Sequence, residues 1–431
     1  MPVALTTPPQ LTVTSTGKVT RAEGQHWSCT VETSAQCGWS GSLPLSSGTT
    51  LPAVHVAVTA GSSGVVIDHA TLIAAQFQPA HAEALSSVRA AACSGAHFKG
   101  SVPGVLDRER RKLRAPIVGI TPARDGCGYR LVGSDGGVFA FGGAPGSHYH
   151  GSVPGALGDK RLNAPVTGTV VPDGRGGYVL IAQDGGVFVF GAAKFHGSVP
   201  SVLAKLDKRL NAPVAGGTAG YRLAAKDGGV FSFAKAGFHG SVPGVLAKLR
   251  EHLAAPVVGT VMPAPNGNGY WLYASDGGVF TFGRAQFLGS VPKVLDPEHK
   301  HLAAPVVAAA SLQNGQGYWL FAADGGVFTF GKVRFYGSVP GVLNAQRRKL
   351  NAPIVGGVAT ANGKGYWLFA SDGGVFSFGN AKFAGSVPGA LRGRLNAPIV
   401  AAAPAPGGGY WLVASDGGVF AFRPSQEGER K

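Results

Sequence analysis

Residues 365–379 read Gly-Tyr-Trp-Leu-Phe-Ala-Ser-Asp-Gly-Gly-Val-Phe-Ser-Phe-Gly. Asp can hydrogen-bond its own backbone and Gly can adopt a positive φ, so Ser-Asp-Gly-Gly between two apolar runs predicts a β-hairpin. The core of this stretch, Asp-Gly-Gly-Val-Phe-x-Phe, occurs seven times at separations of 43 to 49 residues. Its aspartates are Asp135, Asp184, Asp227, Asp276, Asp324, Asp372 and Asp416. The chain is therefore organised around a repeated hairpin.

Two further signatures, Gly-Ser-Val-Pro and Ala-Pro-(Val/Ile), also occur seven times each. In one unit, short apolar runs over residues 256–260, 270–274, 279–282 and 286–290 are separated by glycine-containing turns. Such runs between turns predict strands. Four short strands in a repeat of roughly 47 residues are typical of a β-propeller blade.

The two ends of the repeat region complement each other. The first Gly-Ser-Val-Pro, at residues 100–103, precedes any complete unit, whereas the last unit stops after residues 419–422 without a fourth strand. We predict an all-β fold, a seven-bladed β-propeller over residues 96–422. Pairing of the strand near Phe98 with the strand that contains Phe420 and Phe422 closes the predicted ring. Residues 423–431 form a polar tail.

Phenylalanine follows the repeat. Phe-x-Phe places both rings on one face of the third strand, and another Phe recurs in the predicted fourth strand. Because both faces of an inner strand touch neighbouring blades, we predict that all of these rings belong to the core. The fourth-strand rings are Phe98, Phe195, Phe238, Phe287, Phe335 and Phe383.

Residues 1–95 differ from the rest of the chain. They are rich in Thr, Ser, Gly and Pro and carry a net charge of −1. We expect an irregular N-terminal extension. Residues 52–59 and 64–67 echo the first two strands of a blade, so a degenerate blade packed outside the ring is one interpretation. An independent small β segment and a poorly ordered extension are the others.

The composition fits a repetitive chain with many turns. Glycine makes up 68 of 431 residues and apolar residues 45%, which disfavours disorder and coiled coil. Charged residues are only 14%, yet the net charge is +16. No apolar stretch is long enough to cross a membrane, and the first thirty residues show no secretory signal, which leaves a cytoplasmic location open. We expect a monomer.

The unit Gly-Tyr-Trp-Leu-x-Ala-Ser-Asp-Gly-Gly-Val-Phe-x-Phe-Gly is best preserved at residues 269–283 and 365–379. It resembles tandem repeats that are common in secreted and surface proteins of high-GC Gram-positive bacteria and that are Kelch-like in outline. The resemblance covers about three quarters of the chain and implies an extracellular or cell-surface binding module. It implies no particular ligand, because a propeller hosts many unrelated functions.

The first three units depart from this pattern. Trp271, Trp319, Trp367 and Trp411 follow the second-strand tyrosine in the last four units, but Arg130, Val179 and Arg222 stand there in the first three. Together with Lys226, the two arginines break the repeat with basic residues. One interpretation is repeat drift, with the guanidinium groups reaching solvent. The other is a polar surface on the early blades where a partner docks.

Basic residues are concentrated in the connections that lead from one unit to the next. These connections hold 19 Lys and Arg against 7 Asp and Glu. By propeller topology, they share one rim with the Asp-Gly-Gly hairpins, and such an array would attract an anionic polymer. An alternative is that the charges only keep the ring soluble. The candidate rim residues are Arg108, Arg110, Arg111, Lys112, Lys160, Arg161, Lys208, Arg209, Arg347, Arg348, Lys349, Arg392 and Arg394.

No catalytic, metal or cofactor site is predicted. Each Asp-Gly-Gly offers one carboxylate, too few for calcium, and no pair of carboxylates is placed for glycoside hydrolysis. His150, His196 and His239 occupy equivalent positions in successive units, so they should not converge on one metal. The four cysteines allow two disulfides, for which we predict Cys29–Cys37 and Cys93–Cys127.

The sequence thus favours a non-enzymatic binding module at the cell envelope. Its expected partner is a protein or an anionic cell-wall polysaccharide. Nucleic acid is disfavoured, because no recognition helix is present and the aromatic rings are assigned to the core. The alternative function is a glycan or ester hydrolase with its site at the mouth of the central channel.

Overall fold

The computed structural model divides the chain into two compact units, Met1–Ala92 and Cys93–Lys431, which are described separately. The structure describes residues 8–15, 18–43, 51, 53–59, 64–73, 80–88, 96–123, 127–142, 148–158, 160–172, 177–218, 221–233, 236–261, 268–296, 300–312, 314–391, 394–405 and 408–424.

The first unit contains one seven-stranded antiparallel sheet, in the order β5-β2-β3-β4-β1-β6-β7. The prediction of an irregular extension was wrong for these residues, because Thr and Val favour strands even where the composition resembles that of a loop. Val13, Val19 and Ala35 are buried in its core. The strands are β1 Gln10–Ser15, β2 Lys18–Gly24, β3 Trp27–Val31, β4 Ala35–Trp39, β5 Val54–Thr59, β6 Gly64–Ile73 and β7 Ala80–Val88.

The two segments that echo a blade are not neighbours in this sheet. β5 pairs with β2, whereas β6 pairs with β1 and β7. They are therefore not successive strands of one blade.

The second unit contains seven three-stranded antiparallel sheets within its described residues. We number them sheets 1 to 7 along the chain, and in each the strands follow in chain order. Sheet 1 consists of β8 Ile117–Pro122, β9 Tyr129–Gly133 and β10 Val138–Phe141, and sheet 2 of β11 Val166–Pro172, β12 Tyr178–Ala182 and β13 Val187–Phe190. Sheet 3 consists of β14 Val214–Thr218, β15 Arg222–Ala225 and β16 Val230–Ser232, and sheet 4 of β17 Val257–Val261, β18 Gly269–Ala274 and β19 Val279–Gly283. Sheet 5 consists of β20 Val306–Ser311, β21 Gly317–Ala322 and β22 Val327–Gly331, and sheet 6 of β23 Ile354–Ala359, β24 Gly365–Ala370 and β25 Val375–Gly379. Sheet 7 consists of β26 Ile399–Pro404, β27 Tyr410–Ala414 and β28 Val419–Phe422.

The first strands of these sheets contact one another in a cycle. β8 contacts β11, the series continues through β14, β17, β20 and β23 to β26, and β26 contacts β8. Second strands are buried along their whole length, as in β21 and β24. Apolar side chains between adjacent sheets form the core of the unit.

The predicted fourth strand is absent among the described residues, and Gly-Ser-Val-Pro begins a short helix instead. Ser338 caps its helix, since its Oγ accepts a hydrogen bond from the Gly341 N–H at 3.3 Å, and Pro340 stands in the first turn. Gly337 has a φ of 131°, which breaks a strand just before the cap. The helices are α1 Val102–Leu106, α2 Val153–Leu157, α3 Val199–Lys205, α4 Val242–Leu249, α5 Val291–Leu295, α6 Val339–Ala345 and α7 Val387–Ala390.

The two ends of the repeat region do meet, although not by the predicted strand pairing near Phe98. The Val102 N–H donates to the Gly417 carbonyl at 3.1 Å, and the Ile117 N–H donates to the Ser415 carbonyl at 2.8 Å. Equivalent bonds join every other pair of successive sheets, such as Val387 N–H to the Gly373 carbonyl at 3.0 Å. Sheet 7 thus holds the start of the region as each sheet holds its successor.

The prediction that all phenylalanines are core was wrong for the outer ones. The second Phe of Phe-x-Phe is buried in several sheets, for example Phe330 and Phe378. Each outer Phe, by contrast, is about half exposed, from 47% at Phe287 to 60% at Phe238. The outer segment forms no strand within its sheet, so its side chains are not covered on both sides.

Candidate binding surfaces

The basic connections lie beside the Asp-Gly-Gly hairpins. In each unit the hairpin accepts a bond from the helix start, as at Gly373 and Val387, and a second from the next first strand, as at Ser371 and Ile399. The connection between these two points is therefore held at the hairpin end of the sheets. We call the thirteen candidate rim residues named in the sequence analysis, from Arg108 to Arg394, the basic rim.

The described residues of the basic rim are all exposed, and Arg392 lies outside the described residues. Arg111 pairs with Glu109 at 3.1 Å, the one ion pair found among the described rim residues. Arg108 Nε–H donates to the Gly104 carbonyl at 2.7 Å. Most of the rim charge is therefore not neutralised by contact with a carboxylate in the part of the chain that is described.

The seven hairpin aspartates serve the turn. In each hairpin, one carboxylate oxygen accepts a hydrogen bond from the second glycine's N–H, as at Asp372 and Gly374 at 2.9 Å. Among the described residues, no group of three or more His, Cys, Asp or Glu side chains could hold a metal ion.

Arg130 and Arg222 are buried, so the interpretation that their guanidinium groups reach solvent was wrong. Arg130 Nε–H donates to the His148 carbonyl at 3.1 Å, and its guanidinium lies 4.9 Å from the ring centre of Tyr178 in the next sheet. Arg222 makes the same two kinds of contact, to the Gly237 carbonyl at 2.7 Å and to the Tyr270 ring at 4.5 Å. Burial lowers the pKa of both guanidinium groups.

The tryptophans of the later sheets make equivalent contacts. Trp319 Nε1–H donates to the Arg334 carbonyl at 2.9 Å, and its ring lies 6.0 Å from that of Tyr366 in the next sheet. Arginine therefore replaces tryptophan in the same structural role, as a flat donor between two sheets. Both arginines are buried, while Lys226 is exposed at a hairpin.

The tyrosines that receive these contacts also bind the outer segment. The Tyr366 hydroxyl donates to the Gly337 carbonyl at 2.6 Å and accepts from the Tyr336 N–H at 3.1 Å. Burial raises the pKa of these tyrosines, to about 12 for Tyr318. Their chemistry is structural, because each hydroxyl already has backbone partners.

A cavity of about 620 Å³ opens beside the first strands of sheets 5 and 6. Its polar side chains are Ser311, Asn314, Thr360 and Asn362, and the other lining residues are Gly, Ala, Val and Leu. The Thr360 hydroxyl donates a hydrogen bond to Asn362 Oδ1, with 2.9 Å between the two oxygens. No ionisable side chain lines this cavity, so it offers no general acid or base among its described lining residues.

Known structures resemble this chain at low identity. The β-propeller domain of Cps50 (Swd1) from Myceliophteria thermophila is 12% identical, with a TM-score of 0.46, over 72% of this chain and 96% of that one. Sqt1 from Chaetomium thermophilum is 15% identical, with a TM-score of 0.45, over 84% of this chain and 93% of that one. No family model and no curated protein matches the sequence.

A row of exposed aromatic rings is the surface that the sequence analysis missed. One ring projects from the outer segment of every unit, three residues before the serine that caps the helix, and each is 47–60% exposed. A phenylalanine that recurs at the repeat spacing is normally predicted to be a core residue. The only sequence signal for an exposed position was the charged residues next to several of these rings. We call this set the aromatic row: Phe98, Tyr149, Phe195, Phe238, Phe287, Phe335 and Phe383.

The histidines next to this row pack on the following sheet. The rings of His150 and His239 lie 5.9 Å from those of Tyr178 and Tyr270, and the His196 ring lies 5.3 Å from that of Tyr221. Each therefore contacts a different sheet, as expected for side chains that do not converge.

Cys29 and Cys37 form a disulfide across the paired strands β3 and β4. Cys127 is also disulfide-bonded, while Cys93, its predicted partner, lies outside the described residues. In the described part of the chain, no helix is long and apolar enough to span a membrane.

Proposed function

We propose that the seven three-stranded sheets are the blades of a closed, seven-bladed β-propeller and that the chain is a non-enzymatic interaction module. Its partner is an anionic polymer or an acidic protein surface, bound at the basic rim. The family resemblance of the repeat supports a place at the cell envelope.

The observation that carries this proposal is the exposed, largely unneutralised charge of the basic rim. Its cations lie in five of the seven connections, and Arg111–Glu109 is the one ion pair among the described rim residues. Charges of one sign spread along a rim raise the local concentration of a polyanion and accelerate its association. The aspartates nearby reduce the net charge, although their hydrogen bonds serve the hairpins.

Charge variants at opposite ends of the sheets test the rim. Neutralising Arg347, Arg348 and Lys349 to Gln should weaken binding of an anionic glycan and reduce the dependence of its affinity on salt. The matched control neutralises Arg284, Lys332 and Lys364, which are exposed in turns at the other end. Equal losses in both variants, or an affinity unchanged between low and high salt, would contradict a rim-specific site.

The hydrolase alternative is tested by turnover. The cavity near the first strands is lined by neutral side chains. Turnover of a glycan or ester substrate that a single Asp substitution abolishes would overturn it. Surface labelling of intact cells, followed by detection of the chain, tests the envelope location.

A further inference from the structure

We infer that the aromatic row is a second binding surface, which takes the sugar rings of a uronate-containing polysaccharide. The inference deepens the proposed function by naming the polymer class, and it rests on that function only for the expectation of an anionic partner. The site itself is a different surface from the basic rim.

The row combines open ring faces with positive charge. Six of its seven rings have an exposed Lys, Arg or His as a chain neighbour, and no Asp or Glu lies within two residues of any of the seven. These neighbours are Lys99, His148, His150, Lys194, His196, His239, Arg334 and Lys382. Phe287 has neutral neighbours, but the Lys293 ammonium lies over its ring, 5.6 Å from the ring centre. His150, His196 and His239 pack on tyrosines of the following sheet, so the exposed cations next to the row are those of Lys99, Lys194, Arg334 and Lys382.

The fold explains why these positions are exposed, but it does not require an aromatic residue there. In several units the residue after the ring packs on the next sheet, as Tyr336 does beside Tyr366 at 5.9 Å. The preceding ring therefore points away from that contact, and a small or polar residue would satisfy the same backbone. Single exposed apolar side chains are ordinary on a protein surface, but here an aromatic ring recurs at the same position in all seven units.

The chemistry selects a uronate among anionic polymers. A pyranose ring presents an apolar face of C–H groups that packs on an aromatic ring. In a uronate the carboxylate is attached to that same sugar ring, which suits an aromatic ring that has an exposed cation one residue away, as at Lys194, Arg334 and Lys382. In a nucleic acid the phosphate is separated from the stacking base by a sugar, which places charge and stacking face farther apart. Equivalent sites around the molecule also suit a polymer of repeated units, because linked weak contacts add by avidity.

The test uses the full chain and oligogalacturonate as the probe. Replacing Phe195, Phe238 and Phe335 by Ala should lower affinity about tenfold or more, with little change in the salt dependence. The same three residues changed to Tyr keep the rings and should keep the affinity. Neutralising Lys194, Arg334 and Lys382 to Gln should lower the affinity and also reduce its salt dependence. Thermal unfolding should be nearly unchanged in all three variants, since the side chains are exposed.

Several outcomes would overturn the inference. These are no binding of oligogalacturonate, unchanged affinity of the triple Ala variant, or tighter binding of single-stranded oligo-dT of equal charge. The Arg347, Arg348 and Lys349 variant separates the two proposals. If it binds normally while the Phe variant does not, the rim proposal fails and the aromatic row stands. The reverse result retains the rim and removes the row.

Discussion

At the scale of single residues, the position after the second-strand tyrosine shows what a repeat requires. Trp271, Trp319 and Arg222 each donate a hydrogen bond to a carbonyl fifteen residues further along the chain and lie against a tyrosine of the next sheet. The shared requirement is a flat donor of the right reach, not a particular residue. Arg130 and Arg222 broke the repeat in sequence but keep this contact in the structure.

Substitution of Arg222 tests this equivalence. The free energy of unfolding of Arg222→Trp should lie within about 1 kcal/mol of the wild-type value, because equivalent sites in other sheets hold Trp. Arg222→Ala should cost about 2–4 kcal/mol, since it opens a cavity and removes the donor to the Gly237 carbonyl. Urea unfolding at neutral pH measures both. A Trp variant as unstable as the Ala variant would show that the charge itself is needed.

At the scale of elements, the sequence predicted the hairpins well and the outer segment poorly. Asp-Gly-Gly strongly favours one local conformation, a tight turn, so the repeated turn and its flanking strands could be predicted directly from the sequence. The prediction of a fourth strand was wrong because Ser-Val-Pro starts a helix. The strand-like spacing of the unit was given more weight than this signal. The exposure of Phe335 and its equivalents depends on how the outer segment packs on the next sheet, which no local pattern reports.

Adjacent glycines in one hairpin provide a matched test of the turn. Gly373 has a φ of 80°, and a Cβ there would lie 2.5 Å from Val387 Cβ, so Gly373→Ala should cost about 2–4 kcal/mol. Gly374 has an ordinary φ, and its Cβ would meet mainly the Asp372 carboxylate at 3.0 Å. Gly374→Ala should therefore cost about 1 kcal/mol or less. Equal denaturation midpoints for the two variants would contradict this assignment.

At the scale of the whole second unit, residues 96–101 take the place of the segment that sheet 7 lacks. Trp411 Nε1–H donates to the His97 carbonyl at 2.9 Å, in the way that Trp367 donates to the Lys382 carbonyl at 3.0 Å. The Tyr129 hydroxyl donates to the Gly100 carbonyl at 2.6 Å. The mismatch of signatures at the two ends predicted this complementarity, although the bonds that achieve it come from side chains and loops.

Two truncated chains measure the contribution of these six residues. A chain that begins at Ala96 retains the contacts of His97 and Gly100, whereas one that begins at Val102 loses them. We expect the shorter chain to be less stable by about 2–4 kcal/mol, from lost hydrogen bonds and an uncovered Trp411. Chemical denaturation of the two chains under the same conditions gives the difference. Equal stabilities would mean that sheet 7 does not depend on the start of the region.

The contact between His97 and Trp411 also sets an order of events during synthesis. The two residues are separated by 314 positions, so the first partner leaves the ribosome long before the second. At typical elongation rates of roughly 5–20 residues per second, Trp411 is synthesised about 15–60 s after His97. The earlier sheets can assemble in turn during this interval, but the last interface forms only when the chain is almost complete.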